Sequence, residues 1–174
     1  MQGKVGVLTA VRDDDFFLNK WVDYYGRFFG KEALYIINHG NQQSVREIVD
    51  GSNLFRVPDI ASKVFNPQRW RTQNGIMTAL RQWYEHVIVC DVDEFVVVDP
   101  QSGHDLGSFL TQAKDGRILT AFGMEVAHLV DRGRGKLSKS SLGSRRHAQI
   151  NSWYSKPCIV GSSTKLSRRG HYAT

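Results

Sequence analysis

Apolar and polar positions alternate in blocks along the first hundred residues. Val5-Gly-Val-Leu-Thr-Ala-Val11 is small, β-branched and apolar, the pattern of a strand buried on both faces. It stops at Arg12-Asp13-Asp14-Asp15, where an Asp can cap a following helix by accepting its free N–H groups. From about Phe16 to Phe29 the aromatic residues Phe17, Trp21, Tyr25 and Phe28 recur at helical spacing and share one face. Gly30 suits the left-handed stop after such a helix. A second strand, Leu34–Ile37, ends in Asn38-His39-Gly40-Asn41, and a short helix over Ser44–Val49 follows. The third strand, Leu54–Val57, runs into Pro58-Asp59. Asn66-Pro67 is a good cap and first-turn pair. It predicts a helix reaching about Tyr84, with Trp70, Met77, Leu80 and Tyr84 on one side. The fourth strand, His86–Cys90, leads directly into Asp91-Val92-Asp93-Glu94-Phe95.

Four strand–helix alternations with short connections predict an α/β fold with a mostly parallel sheet, covered by helices on both faces. In such sheets ligands collect at the carboxyl ends of the strands. The clusters Arg12–Asp15, Asn38–Asn41, Asp59 and Asp91–Glu94 all fall at such ends.

The chain has 174 residues and a mass of 19.7 kDa, the size of a single domain with a real core. Four Trp, six Tyr and nine Phe supply enough apolar area to exclude intrinsic disorder. No run approaches the roughly 20 apolar residues of a membrane helix. Met1–Ala10 lacks the basic start, long apolar stretch and cleavage site of a signal peptide. Cys90 and Cys158 are too few for a disulfide framework or a zinc cluster. Cys90, inside an apolar run, is a small buried hydrophobe. Reduced thiols and no export signal point to the cytoplasm.

Charge divides the chain unevenly. Residues 1–131 hold 13 Lys/Arg and all 17 Asp/Glu, a net of −4, whereas residues 132–174 hold ten Lys/Arg and no acid, a net of +10. The last quarter is either a solvated basic tail or a partner for an anion: phosphate, nucleic acid or an acidic membrane surface.

Asp91 and Asp93 are the chemical centre of the sequence. Residues two apart on a strand point the same way, so both carboxylates are expected to project together from the strand end. Two such charges repel, and a divalent cation relieves the repulsion. Oxygen donors suit Mg²⁺ or Mn²⁺, and Mg²⁺ usually takes one or two carboxylates plus substrate phosphates. Capping or turn formation is the alternative role for the pair.

The order Val7-Leu-Thr-Ala-Val-Arg-Asp-Asp14, Phe17-Leu-x-x-Trp21, Tyr24-Tyr25-Gly26, Phe29-Gly30, Asp91-Val-Asp-Glu-Phe95 and Val98-Asp-Pro100 resembles a bacterial branch of the family-2-like glycosyltransferases. Tyr154-Ser-Lys-Pro-Cys158 and Gly170-His171-Tyr172 fit the same pattern. The resemblance implies a GT-A fold, a Rossmann-like three-layer αβα sandwich. It implies a nucleotide-binding half over about residues 1–100 and an acceptor- and phosphate-binding half over about 101–174, the whole being either a trimmed or a minimal catalytic domain. By position, Asp93 would ligate the cation, Asp91 would touch the ribose or the cation, and His171 would reach the cation from the C-terminal side. Arg12 and Asp59 match the nucleotide pocket, Lys156 would lie near the diphosphate, and Asp13, His39 and Arg71 complete the nucleotide-sugar set. The departure is Asn38-His39-Gly40, where many members carry an Asp-rich turn.

Sugar transfer from a nucleotide sugar builds negative charge on the departing diphosphate, which fixed cations and a metal stabilise. The acid-free tail offers Arg145, Arg146, Lys156, Arg168 and Arg169, and the Gly- and Ser-rich stretch from Arg132 to Arg146 suits a loop over the donor. An inverting transferase also needs a general base for the acceptor hydroxyl. Glu125, after a strand predicted over Ile118–Phe122, ranks first and Glu94 second. Trp153-Tyr154 is the candidate sugar-stacking pair against a default of packing. The expected partners are a nucleotide-sugar donor and a carbohydrate or glycoconjugate acceptor. Nucleic acid is not expected, and the basic tail suits peripheral association with an anionic membrane. Two other classes compete. A haloacid-dehalogenase-type phosphohydrolase also ends an apolar strand in Asp-x-Asp, but there the motif follows the first strand, and no acid follows Asp131 here. A nucleic-acid-binding module would explain the tail but not the acidic cluster.

Overall fold

The structure is a computed structural model describing residues 3–59, 65–113, 117–127 and 147–164. These form two compact units. The first holds the described residues up to Ile118 and those from Cys158 onward; the second is Leu119–Pro157.

The first unit opens with β1 (Gly3–Val11), buried from Val5 onward. The helix α1 (Asp15–Phe29) follows, capped by Asp14, whose carboxylate accepts the Phe17 N–H at 3.1 Å. Next come β2 (Leu34–His39), α2 (Gln43–Ile48), β3 (Asn53–Val57), α3 (Phe65–Leu80) and β4 (Tyr84–Val89). A short helix α4 (Leu106–Gln112) precedes β5 (Ile118–Thr120), β6 (Met124–Ala127), β7 (His147–Ile150) and β8 (Pro157–Gly161). One sheet has the order β3-β2-β1-β4-β8-β5. β1 lies parallel to both β2 and β4, β2 is parallel to β3, and β8 is antiparallel to β4. The fold is therefore α/β with a mostly parallel central sheet.

The order explains the layers. The chain steps outward from β1 to β3, then returns over them to place β4 on the other side of β1. Right-handed crossovers put α1 and α2 on one face and α3 on the opposite face. Packing agrees. Met77 and Leu80 of α3 share a core with Leu8, Ala10, Ile37, Val87 and Val160. On the other face Trp21 Nε1 donates to Cys90 Sγ at 3.4 Å, and α1 touches α2 and α4. Trp21, Tyr25 and Leu18 are fully buried, and each buried side chain of this size contributes roughly 1.5–3 kcal/mol.

Local differences from the sequence expectations have simple causes. The buried face of α1 is Leu18, Trp21, Val22 and Tyr25, while Phe17 and Phe28 are half-buried. α3 ends at Leu80, and Tyr84 begins β4 instead of ending the helix. The Tyr84 ring lies across Gly3 and Gly6, where an added Cβ would approach it to 2.7 and 2.9 Å. The Tyr84 hydroxyl meets that of Tyr35 at 2.9 Å. The strand expected over Ile118–Phe122 stops at Thr120. α4 has no counterpart among the expected elements. It is started by a capping box between Asp105 and Ser108, and Leu106 and Leu110 are buried.

Candidate functional site

Between β1 and β4 the strand order reverses, so the loops after these strands diverge and leave a crevice at their carboxyl ends. A cavity of about 670 Å³ opens there, lined by residues from the ends of β1 to β4 and from α3.

The β1 end contributes Arg12 and Asp14 to the wall. Asp13 sits at φ +54°, a left-handed conformation that Asp tolerates. Gln42, before α2, holds it there: the Asp13 N–H donates to Gln42 Oε1 at 3.0 Å, and Gln42 Nε2 donates back to the Asp13 carboxylate. Asn38 anchors Gln42, accepting its N–H at 2.8 Å and donating to its carbonyl at 2.9 Å. The Asn38-His39-Gly40 turn therefore serves as a clasp between two loops.

The β3 end supplies Asp59. Arg12 Nη2 lies 3.2 Å and buried His39 Nε2 3.7 Å from the same Asp59 oxygen. Arg12 Nε also reaches Asp13 at 3.3 Å. The structure thus brings together four residues separately expected in the nucleotide pocket: Arg12, Asp13, His39 and Asp59.

At the β4 end the strand finishes at Val89, before the Asp-x-Asp motif. A turn, not the strand pleat, orients the pair. It closes with the Glu94 N–H donating to the Asp91 carbonyl at 3.0 Å, and the Glu94 carboxylate accepts the Asp91 N–H at 3.2 Å. Asp91 and Asp93 both line the cavity, with Val92 buried between them. Partial desolvation raises the Asp93 pKa first, and the carboxylates of Asp91, Glu94 and Asp14 raise it further.

The aromatic face of α1 holds this turn in place. The Tyr25 hydroxyl accepts the Val96 N–H at 2.9 Å and the Cys90 thiol at 3.4 Å, and donates to the Glu94 carbonyl at 3.4 Å. Tyr24 donates to the Val96 carbonyl at 2.8 Å. Phe95 stacks on Tyr25 and meets Tyr24 edge-on. Burial pushes the Cys90 thiol up to about 12, so it is an inert packing and hydrogen-bonding group here.

Helix α3 adds Gln68, Arg69 and Thr72 to the cavity wall. Arg69 Nη1 lies 3.4 Å from Asp91 Oδ1. Arg71, the basic residue singled out from sequence, is exposed and not part of that wall. Two residues of helix turn a side chain by about 200°, so Arg69 and Arg71 point to different sides of α3, and Arg69, with Gln68 and Thr72, is the one on the cavity wall.

The second unit contains the antiparallel pair β6–β7, with Met124 opposite Ile150 and Glu125 opposite Gln149. Glu125 is exposed there, with Asn151 Nδ2 donating to its carboxylate at 3.4 Å. Lys156 is half-buried and its N–H donates to the Tyr154 carbonyl at 3.0 Å, while Trp153 is 87% exposed. Arg145, Arg146, Arg168, Arg169 and His171 lie outside the described residues.

Among the described residues no group of three or more His, Cys, Asp or Glu is arranged to hold a metal ion. Asp91 and Asp93 are the described carboxylates from the Asp-x-Asp motif that line the cavity together. The donor chemistry fits a hard divalent cation that completes its shell with water and phosphate oxygens. The Arg69 guanidinium, beside Asp91, is the cation-like group now at that position. No described helix is long and apolar enough to cross a membrane.

No protein-family profile matches the chain, and no curated protein matches it in sequence. The resemblance to family-2-like glycosyltransferases therefore rests on the motif residues alone. Among solved structures the chain is similar to the crystal structure of 4-diphosphocytidyl-2C-methyl-D-erythritol synthase, with a TM-score of 0.47 and 12% identity, over 94% of this chain and 77% of that one.

Proposed function

We propose that the chain is a GT-A-type glycosyltransferase domain that takes a sugar from a nucleotide-sugar donor, with Mn²⁺ or Mg²⁺ held by Asp91 and Asp93. The observation that carries this reading is the placement of both carboxylates on one cavity wall at the reversal point of the sheet, with Arg12, His39 and Asp59 on the same cavity or paired at its rim. A volume of about 670 Å³ is in the usual range for a cofactor-sized ligand. The Arg12–Asp59 pair offers both a donor and an acceptor, as recognition of a base or ribose requires. When bound, the cation would neutralise charge developing on the departing diphosphate. Asp91 and Asp93 would hold the cation, and the Tyr25-anchored turn keeps the two carboxylates in place. Glu125 is the proposed general base, ahead of Glu94, whose carboxylate is turned toward the Asp91 N–H. Lys156 and His171 stay in the proposal as the diphosphate and cation partners from the C-terminal side. The acceptor is a carbohydrate or glycoconjugate, and the buried, inert Cys90 thiol suits a cytoplasmic site of action. Peripheral membrane association is favoured by one face of β6–β7, where Met124, Val126 and Ile150 are exposed.

A thermal-shift panel of UDP-, GDP-, CMP- and dTDP-sugars, with and without Mn²⁺, tests the reading. Metal-dependent stabilisation by one nucleotide is expected, because a ligand that binds only the folded state raises its stability. A flat response from well-folded protein defeats it. Release of phosphate from a phosphomonoester would instead favour the phosphohydrolase.

A further inference from the structure

We propose that Arg69 and a divalent cation are alternative partners of Asp91, so that metal and nucleotide diphosphate must bind together, Arg69 passing from the carboxylate to the diphosphate as they arrive. The proposal rests on the metal–nucleotide reading above and assigns Arg69 a role in it.

Three observations support it. Arg69 Nη1 lies 3.4 Å from Asp91 Oδ1, and both side chains are partly open, 26% and 34% exposed. A partly solvent-screened ion pair of this kind is of modest strength and exchangeable. Arg69 stands on the same helix face as Gln68 and Thr72, so its guanidinium remains on the cavity wall after it leaves Asp91. Arg12, which also lines the cavity, is already placed between two other carboxylates, Asp13 and Asp59.

The electrostatics follow from these positions. A dication at Asp91 would meet the guanidinium's positive charge across one carboxylate. Either Arg69 moves away or a further anion joins them, and a diphosphate supplies that anion. Its oxygens can be shared by a metal ion and by the two-pronged donor face of a guanidinium. Metal alone therefore binds against Arg69, whereas metal with a diphosphate binds with it. By thermodynamic reciprocity each ligand tightens the other by the same factor.

The test measures Mn²⁺ binding, by electron paramagnetic resonance of the free ion, to wild type, Arg69→Ala, Arg69→Lys and Asp91→Asn. It then measures binding of UDP and GDP at saturating Mn²⁺ by calorimetry. In Arg69→Ala, Mn²⁺ alone should bind more tightly by about five- to a hundredfold, the ordinary span of site–site coupling, and the diphosphate more weakly by a similar factor. Arg69→Lys should stay near wild type in the first measurement, since it keeps the charge, and fall short in the second, since it loses the planar fork. Asp91→Asn should lose Mn²⁺ binding. Opposite signs in the two measurements separate this role from a merely structural one, which would weaken both. If Asp91→Asn abolishes Mn²⁺ binding while Arg69→Ala leaves it unchanged, the metal reading stands and the Arg69 proposal falls. If no protein binds Mn²⁺ at Asp91, both fall.

Discussion

Replacing Tyr25 with Phe removes one oxygen atom and tests how the Asp-x-Asp turn is held. The ring stays, so the fully buried aromatic contacts with Trp21 and Phe95 are kept. The Val96 N–H, in a part-buried setting, loses its 2.9 Å acceptor. The two 3.4 Å bonds, to the Cys90 thiol and the Glu94 carbonyl, are long and add little. Leaving one buried donor unpaired costs about 1–3 kcal/mol, so a loss near 2 kcal/mol is expected. For a domain of this size that lowers Tm by about 4–8 °C. Tyr24→Phe, which frees only the Val96 carbonyl, should cost about half as much, since an acceptor with two lone pairs is easier to re-satisfy. Urea or thermal unfolding gives the stability, and Mn²⁺-dependent nucleotide binding gives the second readout. Tyr25→Phe should weaken binding several-fold even at temperatures where the variant is fully folded, because the turn carries both Asp91 and Asp93. A variant that melts within a degree of wild type and binds equally well would show that the hydroxyl does not hold the turn.

Other outcomes can be read in the same assays. Asp93 binds its proton more tightly in the folded chain than an ordinary carboxyl, so its ionised form opposes folding at neutral pH, and the opposition is relieved as pH falls through the raised value. Ligand-free Asp93→Asn should therefore melt above wild type at neutral pH, by a margin that shrinks toward the ordinary carboxylate range, while Mn²⁺-dependent stabilisation disappears; equal melting across the pH series would contradict this. Gly6→Ala places a Cβ 2.9 Å from the Tyr84 ring and should cost about 1–3 kcal/mol by overpacking, less in a Tyr84→Ala background; an unchanged Tm would refute it. His86 is 1% exposed and neither ring nitrogen has a hydrogen-bond partner among the described residues. His86→Leu should then be neutral or stabilising, and a clear drop in Tm would reveal a partner for the ring.

The first four strands and three helices were legible because each is written in local terms: apolar runs, helical spacing and capping residues. Even there, Tyr84 went to the wrong element, because its attraction to bare glycines on β1 is a tertiary fact. α4 was missed because its capping box uses Ser108 at a place where Glu or Gln is the usual signal. At the site, Asp91, Asp93, Arg12 and Asp59 were legible as polar groups at strand ends. Arg69 was not, because choosing between it and Arg71 needs the rotational setting of α3. Nor was the Gln42–Asp13 clasp, which joins loops 29 residues apart.

Strand β8 has a consequence for how the protein is made. Its Ile159 and Val160, both buried, pair with Ile88 and Val87 in the middle of the sheet, and Arg81 at the end of α3 donates to the carbonyls of Gly161 and Ser162 just beyond. A nascent chain has therefore synthesised the last residue lining the candidate crevice, Asp93, 64 residues before β8, the strand that shields the open flank of β4, begins at Pro157. Until that strand leaves the ribosome, an apolar ladder of unpaired backbone groups stays available to neighbouring chains. Expression truncated ahead of Cys158 should accumulate in inclusion bodies although every residue lining the crevice is present.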